Sequence, residues 1–127
     1  MLEEIEFLKR QSMRAYDLSK KAFESGNYNW SMFLLEQAIQ LLIKYLLALK
    51  VGHYSKTHKL SKLFEEISEL YPEFLEFYKQ NRDKFTVIED SYLLSRYLGK
   101  EYEKEDVENK FELFKELMKM VKKYESS

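Results

Sequence analysis

At 127 residues, 45% of them apolar, with a net charge of −1, the chain is long enough to bury one core and has no overall basic field to draw in nucleic acid. It has no cysteine, which excludes disulfides, thiolate metal sites and cysteine nucleophiles and fits a reducing cytoplasm. Three Gly and one Pro leave room for long elements, and the acidic opening Met1-Leu2-Glu3-Glu4-Ile5-Glu6 lacks the basic start of a signal peptide.

Residues 2–25 are expected to form a first helix, with Leu8, Ala15, Leu18 and Ala22 on one side. Ser25-Gly26-Asn27 ends it: Gly26 suits the left-handed C′ position and Asn27 suits the cap of the next helix. The spacing predicts a second helix over 28–51, apolar on most sides, as befits the centre of a bundle. Trp30, Leu34, Ala38, Leu41, Tyr45 and Ala48 make one stripe, and Leu35, Ile39, Leu42, Leu46 and Leu49 another. Its longest apolar stretch, Leu41 to Leu49, carries Lys44 and falls short of a membrane span. The polar exceptions Glu36, Gln37, Gln40 and Lys44 fall within about a quarter turn of one another.

Thr57 is the expected N-cap of a third helix that buries Leu60, Leu63, Phe64, Ile67 and Leu70. Pro72 breaks the chain before a short apolar piece holding Phe74, Leu75, Phe77 and Tyr78. A fourth helix starts at Asn81 or at the Thr86–Glu89 capping-box spacing, and runs to Leu98 before Gly99. The last helix, 104–124, opens on Glu105 and Asp106 and carries two seams. Val107, Phe111, Phe114, Met118 and Val121 form one and Leu113, Leu117, Met120 and Tyr124 the other, with one seam expected to face the core and the other a second subunit. The pattern is all-α: one domain over 1–127, an antiparallel up-and-down bundle of four long helices plus a short one.

The familiar catalytic signatures are missing. The glycines are isolated at helix ends, and no His-Glu-x-x-His or Glu-x-x-His pair is present, so neither a metal nor a cofactor is expected. What stands out is the strip on the second helix, His58 beside Thr57, and Arg96-Tyr97 on the last turn of the fourth helix. Each also has a plain structural reading. The strip suits a solvated face or an intrahelical ladder, His58 a helix-start hydrogen bond, and Arg96 the negative end of the helix dipole. Trp30 and the aromatic stripes are assigned to the core.

Taken in order, three blocks resemble the HEPN family (higher eukaryotes and prokaryotes nucleotide-binding domains). They are Ala22 to Tyr28 followed by Glu36-Gln37-Ala38-Ile39-Gln40 and Lys44; His58-Lys59-Leu60; and Ser95-Arg96-Tyr97. Gln40 stands where the family has Glu, and Leu98 where it has Pro. The endoribonuclease branch pairs an Arg with a His four to six residues later, whereas no His follows Arg96. The resemblance therefore implies the non-nuclease branch: a dimerising five-helix bundle, without catalytic residues, that binds nucleotides or supports a minimal nucleotidyltransferase in a toxin–antitoxin-type pair. It implies a nucleoside triphosphate ligand contacted by Glu36, Gln37, Lys44, His58, Arg96 and Tyr97. The alternatives are a degenerate, metal-independent endoribonuclease using Arg96 with Tyr102, or a helical protein–protein scaffold.

Overall fold

The computed structural model describes residues 2–127 as helices joined by short turns, with no strand among the described residues. In chain order they are α1 (Leu2–Glu24), α2 (Tyr28–Val51), α3 (Leu60–Leu70), α4 (Glu73–Gln80), α5 (Arg82–Tyr97), α6 (Lys104–Glu108) and α7 (Phe111–Glu125). The chain is all-α. The expected last helix is two, because it breaks at Asn109–Lys110, where the Lys110 ammonium turns back to donate to the Asp106 carbonyl and Asn109 Oδ1.

α1 ends as its residues require. Gly26 has φ +76°, its N–H donates to Phe23 O, and Asn27 N–H donates to Ala22 O, which together satisfy the orphan carbonyls of the last turn. Asn27 holds the N-cap position of α2 but makes no side-chain cap bond. α1 lies close along α2 because small residues meet there. Ser12 Oγ donates to Ala38 O at 2.6 Å, Ser19 Oγ donates to Ser31 O at 2.6 Å, and Ser31 Oγ returns a bond to Ser19 O at 2.9 Å. The buried stripe of α1 is thus Ser12, Ala15, Tyr16 and Ser19, and Leu18, expected inside, is exposed.

α2 is the central helix, contacting α1, α3, α5, α6 and α7. Its Leu35, Ile39, Leu42 and Leu46 are fully enclosed, whereas Trp30, assigned to the core by its stripe, is 55% exposed. The whole of Tyr28–Val51 is long and apolar enough to cross a membrane by length and composition, as the buried core helix of a bundle also is, and 67% of that apolar window is buried inside the fold. Around it, Phe64 packs among Phe77, Tyr78 and Phe85, joining α3, α4 and α5.

One helix start differs from expectation: α3 begins at Leu60 with Lys59 as its cap residue, and Thr57 instead accepts the Lys59 N–H at 3.1 Å. Of the two starts expected for α5 the structure takes the earlier, with Asn81 as the cap residue and Arg82 first in the helix, so Thr86 and Glu89 lie inside it. The two seams of the final segment are also both engaged within the chain. Leu113, Leu117, Val107, Phe114 and Val121 are buried, and Met118, Met120 and Tyr124 pack against the same core. Neither seam is left free for another subunit.

Candidate functional site

One face of α2 carries Phe33, Glu36, Gln37 and Gln40 at the spacing of successive helical turns, and one face of α5 carries Glu89, Tyr92, Leu93 and Arg96 at the same spacing. These faces meet along a cleft of about 530 Å³, closed at one end by His58 and Lys59 from the segment before α3 and edged by Asp90. Phe33 and Tyr92 stand opposite each other across it, ring centres 5.8 Å apart. Beyond that aromatic pair a second hollow, about 210 Å³, is lined by Asn29, Trp30, Ser95 and Arg96 and shares Phe33 and Tyr92 as walls. The two hollows adjoin at that pair and are taken together as the α2–α5 groove: its acidic end holds Glu36, Glu89 and Asp90 with Lys59, and its basic end Arg96.

The acidic end is built from buried polar groups. Glu36 is 6% exposed and Gln40 3%, so the polar strip of α2 is not a solvated face. Burial, with the charge of Glu89 added, pushes the Glu36 carboxyl up to about 8, so that it carries a proton at neutral pH. Burial also raises Glu89, while a bond from the Leu60 backbone N–H opposes the rise. The Gln40 amide lies with Oε1 3.4 Å from His58 Nδ1, and its Nε2 is buried with no partner among the described residues. A buried, unpaired amide N–H costs about 1–3 kcal/mol, which a ligand carrying an acceptor would recover.

The residues implied by the resemblance divide on this geometry. Glu36, Gln37 and His58 line the acidic end, and Arg96 the basic end, its guanidinium 5.5 Å from the centre of the Tyr92 ring. Lys44 lines neither hollow. It is buried one helical turn beyond Gln40 with its ammonium over the Tyr54 ring, and burial lowers its proton affinity against the opposing charge of Glu66. Tyr97 is 65% exposed and reaches the groove only through an edge contact with Tyr92. Lys44, His58 and Arg96 therefore do not share one cleft.

Tyr102 does not join Arg96 either. It lines a different depression with Gly26, Tyr28 and Glu101, and its backbone N–H is fixed by Asn29 Oδ1 at 2.9 Å. Its hydroxyl is buried without a partner among the described residues, and burial, then Asp106 and Asp90, raise its proton affinity. That is the wrong direction for a proton carrier at neutral pH. Among the described residues no cluster of three or more acidic or imidazole groups is arranged to hold a metal.

Glu89 was hidden by its capping-box spacing with Thr86. The signal that identifies it is the run Phe85, Glu89, Tyr92, Arg96, which puts one acid on the inward edge of an aromatic stripe.

The profile of the HEPN domain family matches residues 5–124, nearly the full chain. The chain belongs to the HEPN family. No curated protein and no solved structure matches it.

Proposed function

We propose that this HEPN chain is a cytoplasmic nucleotide-binding accessory subunit, without catalysis of its own, that works beside a minimal nucleotidyltransferase in a toxin–antitoxin-type pair. The observation that carries the binding reading is the α2–α5 groove. It combines aromatic walls, a buried amide N–H without a partner among the described residues, and one arginine at the far end, the composition of a small-ligand site. Charge sets the ligand's direction. Phosphates are repelled by Glu89 and Asp90, which outnumber the one cation beside them, Lys59, and attracted by Arg96, which offers a planar fork of donors to their oxygens.

The partner enzyme rests on the family resemblance alone. Dimerisation rests on that resemblance and on the exposed apolar surface flanking the groove, formed by Trp30, Leu93, Tyr97 and Leu98. A partner or a second copy would cover it, and light scattering at micromolar concentration reads the mass.

Calorimetry with ATP and GTP tests the binding reading. Wild type is expected to bind in the high-micromolar range, more weakly as salt rises. Arg96→Ala should lose about tenfold, the worth of one charge-assisted phosphate contact. Lys44→Met should bind as wild type, because Lys44 lies outside the groove. Absence of heat with either nucleotide, or equal affinity in wild type and Arg96→Ala, would overturn the proposal.

A further inference from the structure

The acidic end of the groove makes two demands at once. Glu89 and Asp90 would accept almost any cation, but Gln40 Nε2, buried and unpartnered among the described residues, is satisfied only by an acceptor. A polyamine or a lysine side chain has none. A phosphate has acceptors only, and faces Glu89 and Asp90 with Lys59 alone to offset them. The ligand edge that fits presents an acceptor beside consecutive N–H donors.

The nucleobases differ in this respect. Adenine offers an amino group beside a ring-nitrogen acceptor and has no carbonyl. Uracil has one N–H between two carbonyls, and cytosine one amino group beside two acceptors. Guanine alone sets a carbonyl, O6, next to two successive donors, N1–H and the N2 amino group. Two parallel donors match the two oxygens of one carboxylate. Glu89 retains that capacity while accepting the Leu60 N–H, because a carboxylate has about four lone-pair sites.

We propose that Glu36, Gln40 and Glu89 read the Watson–Crick edge of a guanine base, with the sugar and phosphate passing Phe33 and Tyr92 toward Arg96. Gln40 Nε2 donates to O6, and Glu89 accepts from N1–H and N2–H. Glu36 closes the floor beside them, and its carboxyl hydrogen is a second donor for the carbonyl. His58 sets the amide: in the tautomer with its proton on Nδ1 it donates to Gln40 Oε1, which leaves Nε2 as the donor without a partner among the described residues. The assignment deepens the nucleotide-binding reading and rests on it.

The test is calorimetry with GMP, AMP, CMP, UMP and spermidine on the wild type, Glu89→Gln, Gln40→Met and Arg96→Ala. Wild type should bind GMP at least tenfold more tightly than the other three nucleotides. Glu89→Gln and Gln40→Met should each bring GMP down to the level of AMP, while Arg96→Ala weakens all four nucleotides by one common factor and leaves the preference intact. The near-isosteric substitutions should preserve the fold, as thermal melting would show; were one of them to unfold, the other reads the same preference. Equal affinity of all four nucleotides for the wild type would overturn guanine recognition while leaving nucleotide binding in place. Binding of none would overturn both. Spermidine binding more tightly than GMP, unaffected by Gln40→Met, would show a cation site and overturn the proposal.

Discussion

Glu36 of α2 and Glu89 of α5 face one cleft, and the charge of Glu89 adds to burial in holding a proton on Glu36 up to about pH 8. A carboxylic acid on the central helix is thereby kept neutral inside the fold, where it can donate as well as accept.

The pH dependence of stability follows from that proton. The ordinary value of the Glu36 carboxyl is 4.5 and its folded value is about 8. Below pH 4.5 it is protonated whether folded or unfolded, and the group costs nothing extra. As pH rises toward 8 the unfolded chain releases the proton and the folded chain holds it, so stability falls, by at most about 1.4 kcal/mol per pH unit for one proton. Glu89, Asp90, Lys59 and His58 face the same space and modulate the curve. Glu36→Gln should melt near wild type at pH 5 and several degrees above it at pH 9. Parallel melting curves for the two proteins would show that Glu36 is not held neutral by the fold.

Gln40 separates stability from binding. Replacing it with Met keeps the volume and removes the unpaired buried N–H, at the loss of only a long contact to His58. Gln40→Met should unfold in denaturant at the same midpoint or higher, by up to about 1 kcal/mol, while binding nucleotide more weakly. A lower midpoint would mean that the amide is satisfied in solution.

RNA cleavage is not expected. Tyr102 is enclosed away from Arg96, and no histidine follows Arg96 to move a proton at the 2′-hydroxyl. Single-stranded RNA and tRNA incubated with the purified protein should remain intact on denaturing gels. Cleavage lost in Arg96→Ala would point to a nuclease site in the groove.

Much of the helical frame is legible from local chemistry. Gly26 and Gly52 adopt the left-handed conformation that ends α1 and α2, and Pro72 separates α3 from α4, because these residues act through their own backbone. The strip Glu36, Gln37, Gln40 is visible as polar residues on an apolar helix. Whether it is solvated or enclosed depends on α5 and on the segment holding His58, which no local pattern brings together. Lys44 shares the strip's spacing yet falls past the end of the cleft, and Trp30 shares the core spacing yet lies outside, since helical period gives direction and not what stands there. The break at Asn109–Lys110 escapes for the opposite reason: the apolar seam runs on through it, and only the Lys110 side chain folding back on α6 marks it.

The central claim is that the α2–α5 groove is the nucleotide site, and amide shift mapping tests it most directly. Isotope-labelled protein titrated with GTP should show saturable shifts at Phe33, Glu36, Gln40, His58, Glu89, Tyr92 and Arg96. The opposite end of α2, where Tyr45 and Lys9 bond to Glu125, should stay still. Shifts confined to that end or to α7, or no shifts at millimolar GTP, would contradict the account.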